Sequence, residues 1–252
     1  MLTSHSTSAG VAAVVLGGGG RDDLAQRAGV AAKALVPLRG KPMGAYVLEA
    51  IRGSQIEHIS YVGETRGLEP YLNGATSVPA GLSLNDSFAL GLGAALTTRP
   101  ERVLLLSADI PWISSGTIDT LLQAAPPEAD LIYPVITRAA AEAQFPTQKR
   151  TYVRMKEGQF TGGNVVLLTP KAIAPLLQFV DRLYRGRKNP LAIASMFGLD
   201  ILVKIALGTA SVGEAEDRGS SILGVRALAH ISEDASLGAD IDDLDHAEAF
   251  SL

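Results

Sequence analysis

The chain has 252 residues, 47% of them hydrophobic, and a formal net charge of −4. That is enough apolar material for a sizeable core. The missing basic excess argues against nucleic acid as a partner. There is no cysteine, which excludes disulfides and thiolate metal sites and fits a reducing compartment. No apolar run approaches the 18 residues that a membrane span needs, and the N-terminus lacks the charged and apolar regions of a signal peptide. These features point to a soluble, cytoplasmic protein.

Residues 1–10 are small and polar and read as a disordered tail. Val11–Leu16 is an apolar run of strand length, and it empties into Gly17, Gly18, Gly19 and Gly20. Glycines at a strand end let backbone N–H groups approach a ligand closely and form a nest suited to anions. A charged, helix-compatible segment follows, then Lys33 and the turn Arg39-Gly40-Lys41-Pro42. Lys41 to Ile51 reads as a helix with Met43, Tyr46, Val47, Ala50 and Ile51 on one face. Strands are expected at Ile56–Val62 and Thr76–Val78, a helix at Asn85–Thr97, and a strand at Val103–Ser107. The last is apolar throughout, as suits a strand covered on both faces. Ser114 or Ser115 caps a helix to Gln123, and Leu131–Val135 is the next strand. From Phe145 to Thr161 the pattern alternates and reads as an inserted hairpin. Thr161–Leu168 reads as one strand, and Pro170 opens a helix. Pro190 to Gly219 is apolar and helical with glycine breaks, Ile222–Leu228 a late strand, 229–239 a turn-rich connector, and Asp240–Phe250 the closing segment. Alternating strands and helices imply an α/β fold with a mostly parallel sheet flanked by helices. Residues 11–252 read as a single domain, with about 145–220 as an inserted substrate-binding portion.

Three phosphate-loop patterns compete at the glycine run. The dinucleotide fingerprint fails because Asp22 stands where its third glycine belongs, and the P-loop fails because Gly40-Lys41 is followed by Pro42. The third pattern has a first strand, a glycine-rich loop, K-x-L-x-P and G-K-P-M. Lys33, Leu35, Pro37, Gly40, Lys41, Pro42 and Met43 supply it in order. In these residues the chain resembles the MobA-like (molybdopterin-guanylyltransferase-like) NTP transferases, which use a Rossmann-like, GT-A-type nucleotidyltransferase fold. The resemblance is best over the N-terminal two-thirds. One departure stands out. The usual loop reads G-G-x-G-x-R; aligned on Leu16, Gly18 and Gly19 take the paired glycines, but Arg21 falls on the third glycine and Asp23 on the arginine.

Asp109 follows a buried strand, where open α/β sheets bind ligands. A carboxylate there either holds a hard cation such as Mg²⁺ or caps the turn before Pro111. The resemblance favours metal binding, since Asp109 and Pro111 match the family's Asp-x-Pro. It also implies a second metal ligand in the acidic C-terminal stretch, assigned to Asp242 with Asp240 as the alternate; Asp245 matches a later acidic position and Leu244 replaces a proline. Gly162, Gly163 and Asn164 open a strand, either as a β-bulge or, by the resemblance, as part of the acceptor site. Gln148, Lys149, Arg150 and Arg154 lie just upstream and suit either an anionic acceptor or a solvated hairpin face. Arg185, Arg187 and Lys188 form a weaker basic cluster. Asn85 is explained by helix capping alone; the resemblance places it near the nucleotide. The histidines His5, His58, His230 and His246 show no metal-ligand spacing.

The resemblance therefore implies a Mg²⁺-dependent enzyme moving a nucleoside monophosphate from an NTP to a phosphorylated small-molecule acceptor, with release of pyrophosphate. Leu16 and Gly17–Gly20 would hold the nucleotide, Lys33 and Arg21 would meet its phosphates, and Lys149 and Arg150 the acceptor. Two alternatives remain at this level: a catalytically silent nucleotide-binding or regulatory protein, and a nucleotide-sugar glycosyltransferase, whose Asp-x-Asp motif is absent at Ala108–Pro111.

Overall fold

The computed structural model describes residues 10–18, 22–186, 189–243 and 247, with the backbone alone for 190–193. In chain order the strands are β1 (Val11–Leu16), β2 (Pro37–Leu38), β3 (Lys41–Pro42), β4 (His58–Val62), β5 (Thr76–Val78), β6 (Arg102–Ser107), β7 (Leu131–Thr137), β8 (Val153–Met155), β9 (Gly158–Gly162), β10 (Val165–Leu168) and β11 (Ala227–Ser232). The helices are α1 (Asp23–Arg27), α2 (Met43–Arg52), α3 (Leu84–Leu96), α4 (Ser115–Gln123), α5 (Arg138–Gln144), α6 (Pro170–Gly186), α7 (Pro190–Phe197), α8 (Leu199–Leu207) and α9 (Val212–Leu223). Apart from the β2–β3 pair, all strands join one mixed sheet.

β1 lies between β4 and β6 and is parallel to both, and β5 extends the parallel edge beside β4. β10 runs antiparallel between β6 and β7. β9 pairs with the distal half of β7, β8 pairs with β9, and β11 runs parallel along β7. The fold is α/β, as the alternation of elements predicts. Side-chain period two sorts each apolar strand between two cores. Ala13 and Val15 of β1, with Leu104 and Leu106 of β6, face the layer of α2 and α4. Ala12, Val14, Val103 and Leu105 face the layer of α3, α6 and α9. Gly91 brings α3 close to the sheet: an added Cβ would fall 2.6 Å from both Val14 and Val62.

Several boundaries differ from the sequence expectation, each for a physical reason. α2 starts at Met43, because Lys41–Pro42 pairs with Pro37–Leu38 and a residue before proline is pushed out of the helical region. The Arg39-Gly40 turn joining this pair has positive φ at both residues, +47° and +84°. β4 begins at His58 rather than Ile56, and β7 continues to Thr137, where it pairs with Phe160. α5 has no counterpart in the sequence pattern; Thr137 caps it through its side chain. The strand expected at 161–168 is two, β9 and β10, interrupted at Gly163-Asn164. The late strand also moves: Ile222 and Leu223 finish α9, which stops at Gly224 in the left-handed region, φ +67°, and β11 starts at Ala227. Asn85 does not cap α3; Ser83 does, accepting from the Asp86 N–H. Among the described residues, no helix is long and apolar enough to cross a membrane. The tail 1–9 and most of 244–252, including Leu244 and Asp245, lie outside the described residues.

Candidate active site

The site gathers at the C-terminal ends of β1 and β6. At the end of β1, Gly17 N–H donates to the Val62 carbonyl (2.7 Å). A Cβ on Gly17 would fall 2.1 Å from the Tyr61 hydroxyl, and Gly18 sits at φ +79°. These two positions need glycine for separate reasons: one for a close approach, the other for its backbone angle. Gly19, Gly20 and Arg21 lie outside the described residues. Asp22 caps α1, accepting from the Ala25 N–H (2.9 Å), and Asp23 is the first residue of that helix.

Lys33 opens a single 3-10 turn, Lys33–Leu35. The turn is pinned by buried Ala34, which packs under Gly44 of α2. The Lys33 ammonium donates to Asp109 Oδ2 (2.7 Å) and to Asp242 Oδ1 (2.6 Å). Burial on its own would lower its pKa, but the charges and hydrogen bonds of Asp109 and Asp242 outweigh burial and hold it well above the ordinary lysine range. Lys41, the other lysine of the motif, is engaged elsewhere: it pairs with Glu49 and lies 3.9 Å from the centre of the Tyr46 ring.

Asp109 follows β6 through Ala108, whose N–H donates to the Leu16 carbonyl (2.9 Å). The C-terminal stretch is fastened to it by the Ile241 N–H, which donates to the Asp109 carbonyl (3.0 Å). Ile241 is fully buried, in a small cluster with Leu24, Val36, Leu38 and Met43. With Ile241 anchored there, carboxyl oxygens of its two neighbours, Asp240 and Asp242, and of Asp109 lie within 4.8 Å of one another. Burial, then the charges of Asp242 and Asp109, raise the Asp240 pKa, and Arg150 partly opposes them. Asp109 Oδ1 is buried and has no hydrogen-bond partner. Among the described residues, these three carboxylates meet two cations, Lys33 and Arg150. An all-oxygen donor set with a vacant buried lone pair fits a hard divalent cation.

Arg150 is mostly buried. Its guanidinium donates to the Gly238 carbonyl and reaches Asp240 Oδ1 at 3.4 Å. Gln148 Nε2 donates to the Asp240 carbonyl (3.0 Å). These two residues brace the acidic stretch, a contact that the local pattern of the hairpin could not reveal. Lys149 and Arg154 are exposed, and Arg154 lies against Gly208. Arg185 is exposed and paired with Asp181; Arg187 and Lys188 lie outside the described residues.

Gly162 closes β9 and Gly163-Asn164 forms the break before β10. Gly163 N–H donates to the Pro134 carbonyl (3.0 Å), and Asn164 N–H to the Leu237 carbonyl (2.8 Å). Asn164 Nδ2 reaches the Gly238 carbonyl at 3.3 Å. Gly17, Gly18, Lys33, Asp109, Gly163 and Asn164 line one cleft of about 350 Å³, whose deeper wall is Phe88, Leu105 and Leu176. Asn85 is in the first turn of α3 and does not line this cleft; its Oδ1 is buried without a partner. Tyr61 is the addition that sequence order alone does not single out; of the two acidic candidates, Asp242 and its alternate Asp240, the structure brings both beside Asp109.

A mostly parallel mixed sheet flanked by helices, with a glycine-ended first strand, is the GT-A-like nucleotidyltransferase fold. The chain belongs to the family of the MobA-like NTP transferase domain, whose model matches residues 13–192. It is similar to a hypothetical transferase from Thermus thermophilus, with 39% identity, a TM-score of 0.84, and 94% of this chain and 99% of that one covered. Two more distant likenesses concern the fold. One is CMP:2-keto-3-deoxy-manno-octonic acid synthetase complexed with CTP, at 14% identity and a TM-score of 0.57, covering 96% of this chain and 97% of that one. The other is a cytidylyltransferase from Leptospira borgpetersenii, at 16% identity and a TM-score of 0.52, covering 96% and 84%. No curated protein matches the chain in sequence.

Proposed function

We propose that the protein transfers a nucleoside monophosphate from an NTP to a phosphorylated small-molecule acceptor and releases pyrophosphate. The observation that carries this reading is the meeting of Asp109, Asp240 and Asp242 with Lys33 at the mouth of the glycine-lined cleft. Asp109 and Asp242, with Asp240 beside them, would hold Mg²⁺. Bound there, the ion would supply positive charge against the phosphate oxygens.

The remaining work falls to the protein's own groups. Gly17 and Gly18 leave room for the triphosphate to approach the backbone. Lys33, permanently charged, neutralises the phosphates as they separate. Gly162, Gly163 and Asn164 border the acceptor, and Lys149 would attract its negative charge. Arg150 and Gln148 keep Asp240 in position. An acceptor phosphate oxygen attacks the α-phosphorus in line; the bond to the β-phosphate breaks, and pyrophosphate leaves with the electron pair. A phosphomonoester has its second pKa at about 6, so it is largely ionised at neutral pH and needs no general base. Catalysis then rests on positioning and electrostatics.

The test is a thermal-shift panel of CTP, UTP, GTP, ATP and TTP, each with and without Mg²⁺. A ligand present at about 100 times its Kd adds about 2.7 kcal/mol. One NTP should stabilise the protein in a Mg²⁺-dependent way, and Asp109→Ala should abolish that. No shift with any nucleotide refutes the reading.

A further inference from the structure

A second cavity, of about 470 Å³, opens on the same side of the sheet as the candidate active-site cleft, under α6, α7 and α9. Its lining is almost wholly apolar. Phe160, Phe179, Ile222 and Ala229 are typical of it. Native interiors pack to crystal-like density with few voids larger than a water molecule, and this space has the size of a ligand pocket.

Two features connect it to the active site. Val166 and Leu176 line both spaces. Tyr133 spans them as well: its ring lines the apolar cavity, and its hydroxyl donates to the carbonyl of Gly163 (3.0 Å), which borders the active-site cleft. A Cβ on Gly162 would fall 2.3 Å from that hydroxyl, so the glycine pair that borders the acceptor position also admits Tyr133.

Building on the nucleotidyl-transfer reading, we propose that the acceptor is amphipathic: a phosphomonoester carried on a single hydrocarbon chain. Its phosphate lies by Gly163 and Asn164, and its chain passes Val166 and Leu176 into the apolar cavity. The chemistry is unchanged. A P–O–P bond forms between the acceptor phosphate and the α-phosphorus, and pyrophosphate leaves. A polyhydroxylated body in this cavity would bury its hydroxyls against Phe160, Phe179 and Ile222 without hydrogen-bond partners, which costs affinity. A volume of about 470 Å³ is too small for the two long acyl chains of a bilayer phospholipid.

The test is calorimetric titration of the whole protein with hexyl, octyl and decyl phosphate below their micelle-forming concentrations, with glycerol 3-phosphate as the polar comparison. Burying a methylene is worth about fourfold in affinity, so decyl phosphate should bind on the order of 100-fold more tightly than hexyl phosphate. Ala215→Phe on α9 projects into the cavity and should weaken decyl phosphate at least about tenfold, leaving Mg²⁺–NTP stabilisation intact; Gly219→Leu is a second variant at the same wall. Affinity independent of chain length overturns the proposal. So does unchanged decyl phosphate binding in both variants, or equally tight binding to phosphatidic acid vesicles. A protein that is stabilised by an NTP but shows no chain-length dependence loses only this inference. One that shows chain-length dependence but responds to no NTP keeps the apolar site and loses the transfer reading.

Discussion

The two faces of the sheet are made from the same strands, yet they are packed differently. On the α2 and α4 face, Tyr61, Leu48, Ile51, Leu104, Leu106, Ile110 and Ile118 fill a continuous core, each at most 1% exposed. On the α3, α6 and α9 face the buried cluster is smaller, and cavities of about 350 and 470 Å³ open beside it. The filled face fixes the strand ends from which Gly17 and Asp109 project. The open face leaves unfilled volume beside them. Rigid support on one side and unfilled volume on the other is the arrangement expected where catalytic groups must hold their geometry while ligands come and go.

The largest expected effect comes from the carboxylate that the filled face positions. Asp109→Asn should lower the rate of pyrophosphate release by on the order of 1000-fold and remove the Mg²⁺ dependence of NTP stabilisation. A variant that keeps both would detach the acidic cluster from function. The comparison of faces is itself open to measurement by denaturant unfolding. Leu104→Ala, in the filled core, should cost about 3 kcal/mol. Leu223→Ala, which borders the apolar cavity, should cost only about 1 kcal/mol, because part of its surface already lacks packing partners. Equal losses would mean that the two faces are equally well packed.

Lys33→Ala leaves carboxylates facing one another. Asp242 is 66% exposed on its side chain, so solvent screens part of the repulsion, and the expected loss is about 2 kcal/mol. Mg²⁺ at millimolar concentration should restore the melting temperature more in this variant than in the wild type; a loss that Mg²⁺ leaves untouched would separate Lys33 from the cation site. The smallest effect belongs to the capping box of α9 on the open side, where Ser211 and Glu214 satisfy each other's backbone N–H groups. The Lys204 hydrogen bond first, and then the Ser211 backbone N–H, hold the Glu214 carboxyl down at about 2. Its contribution is therefore complete above the usual carboxylate range and disappears as pH falls toward 2. The melting-temperature gap between wild type and Glu214→Gln should be small at neutral pH and close on acidification; a gap that widens in acid contradicts the ion pairing.

Periodicity and punctuation made much of the fold legible. Val11–Leu16 and Thr76–Val78 have the limits that the sequence implies, and Ser114 and Pro170 open helices where their chemistry predicts. Each of these signals acts within a few residues. The split of one expected strand into two, and the role of Arg150, depended on partners far along the chain. The run 161–168 looks continuous locally, but β9 pairs with the distal half of β7 while β10 fits between β6 and the proximal half, and the chain steps between them at Gly163-Asn164. Arg150 reads as a cation for an anionic acceptor, or as part of a solvated hairpin face, until its contact with Gly238 and Asp240 is seen.

What the sequence by itself determined is the α/β alternation of most elements, the glycine-ended first strand, and a lysine and an aspartate of the right type after β1 and β6. These follow from side-chain period, backbone freedom and capping, all of them local. Only the tertiary structure decided that Lys33 meets Asp242, 209 residues away, that Asp240 joins them, and that the sheet has one filled and one open face. Those outcomes depend on strand register and on how helix volumes fit the sheet, quantities that no short stretch of chain contains.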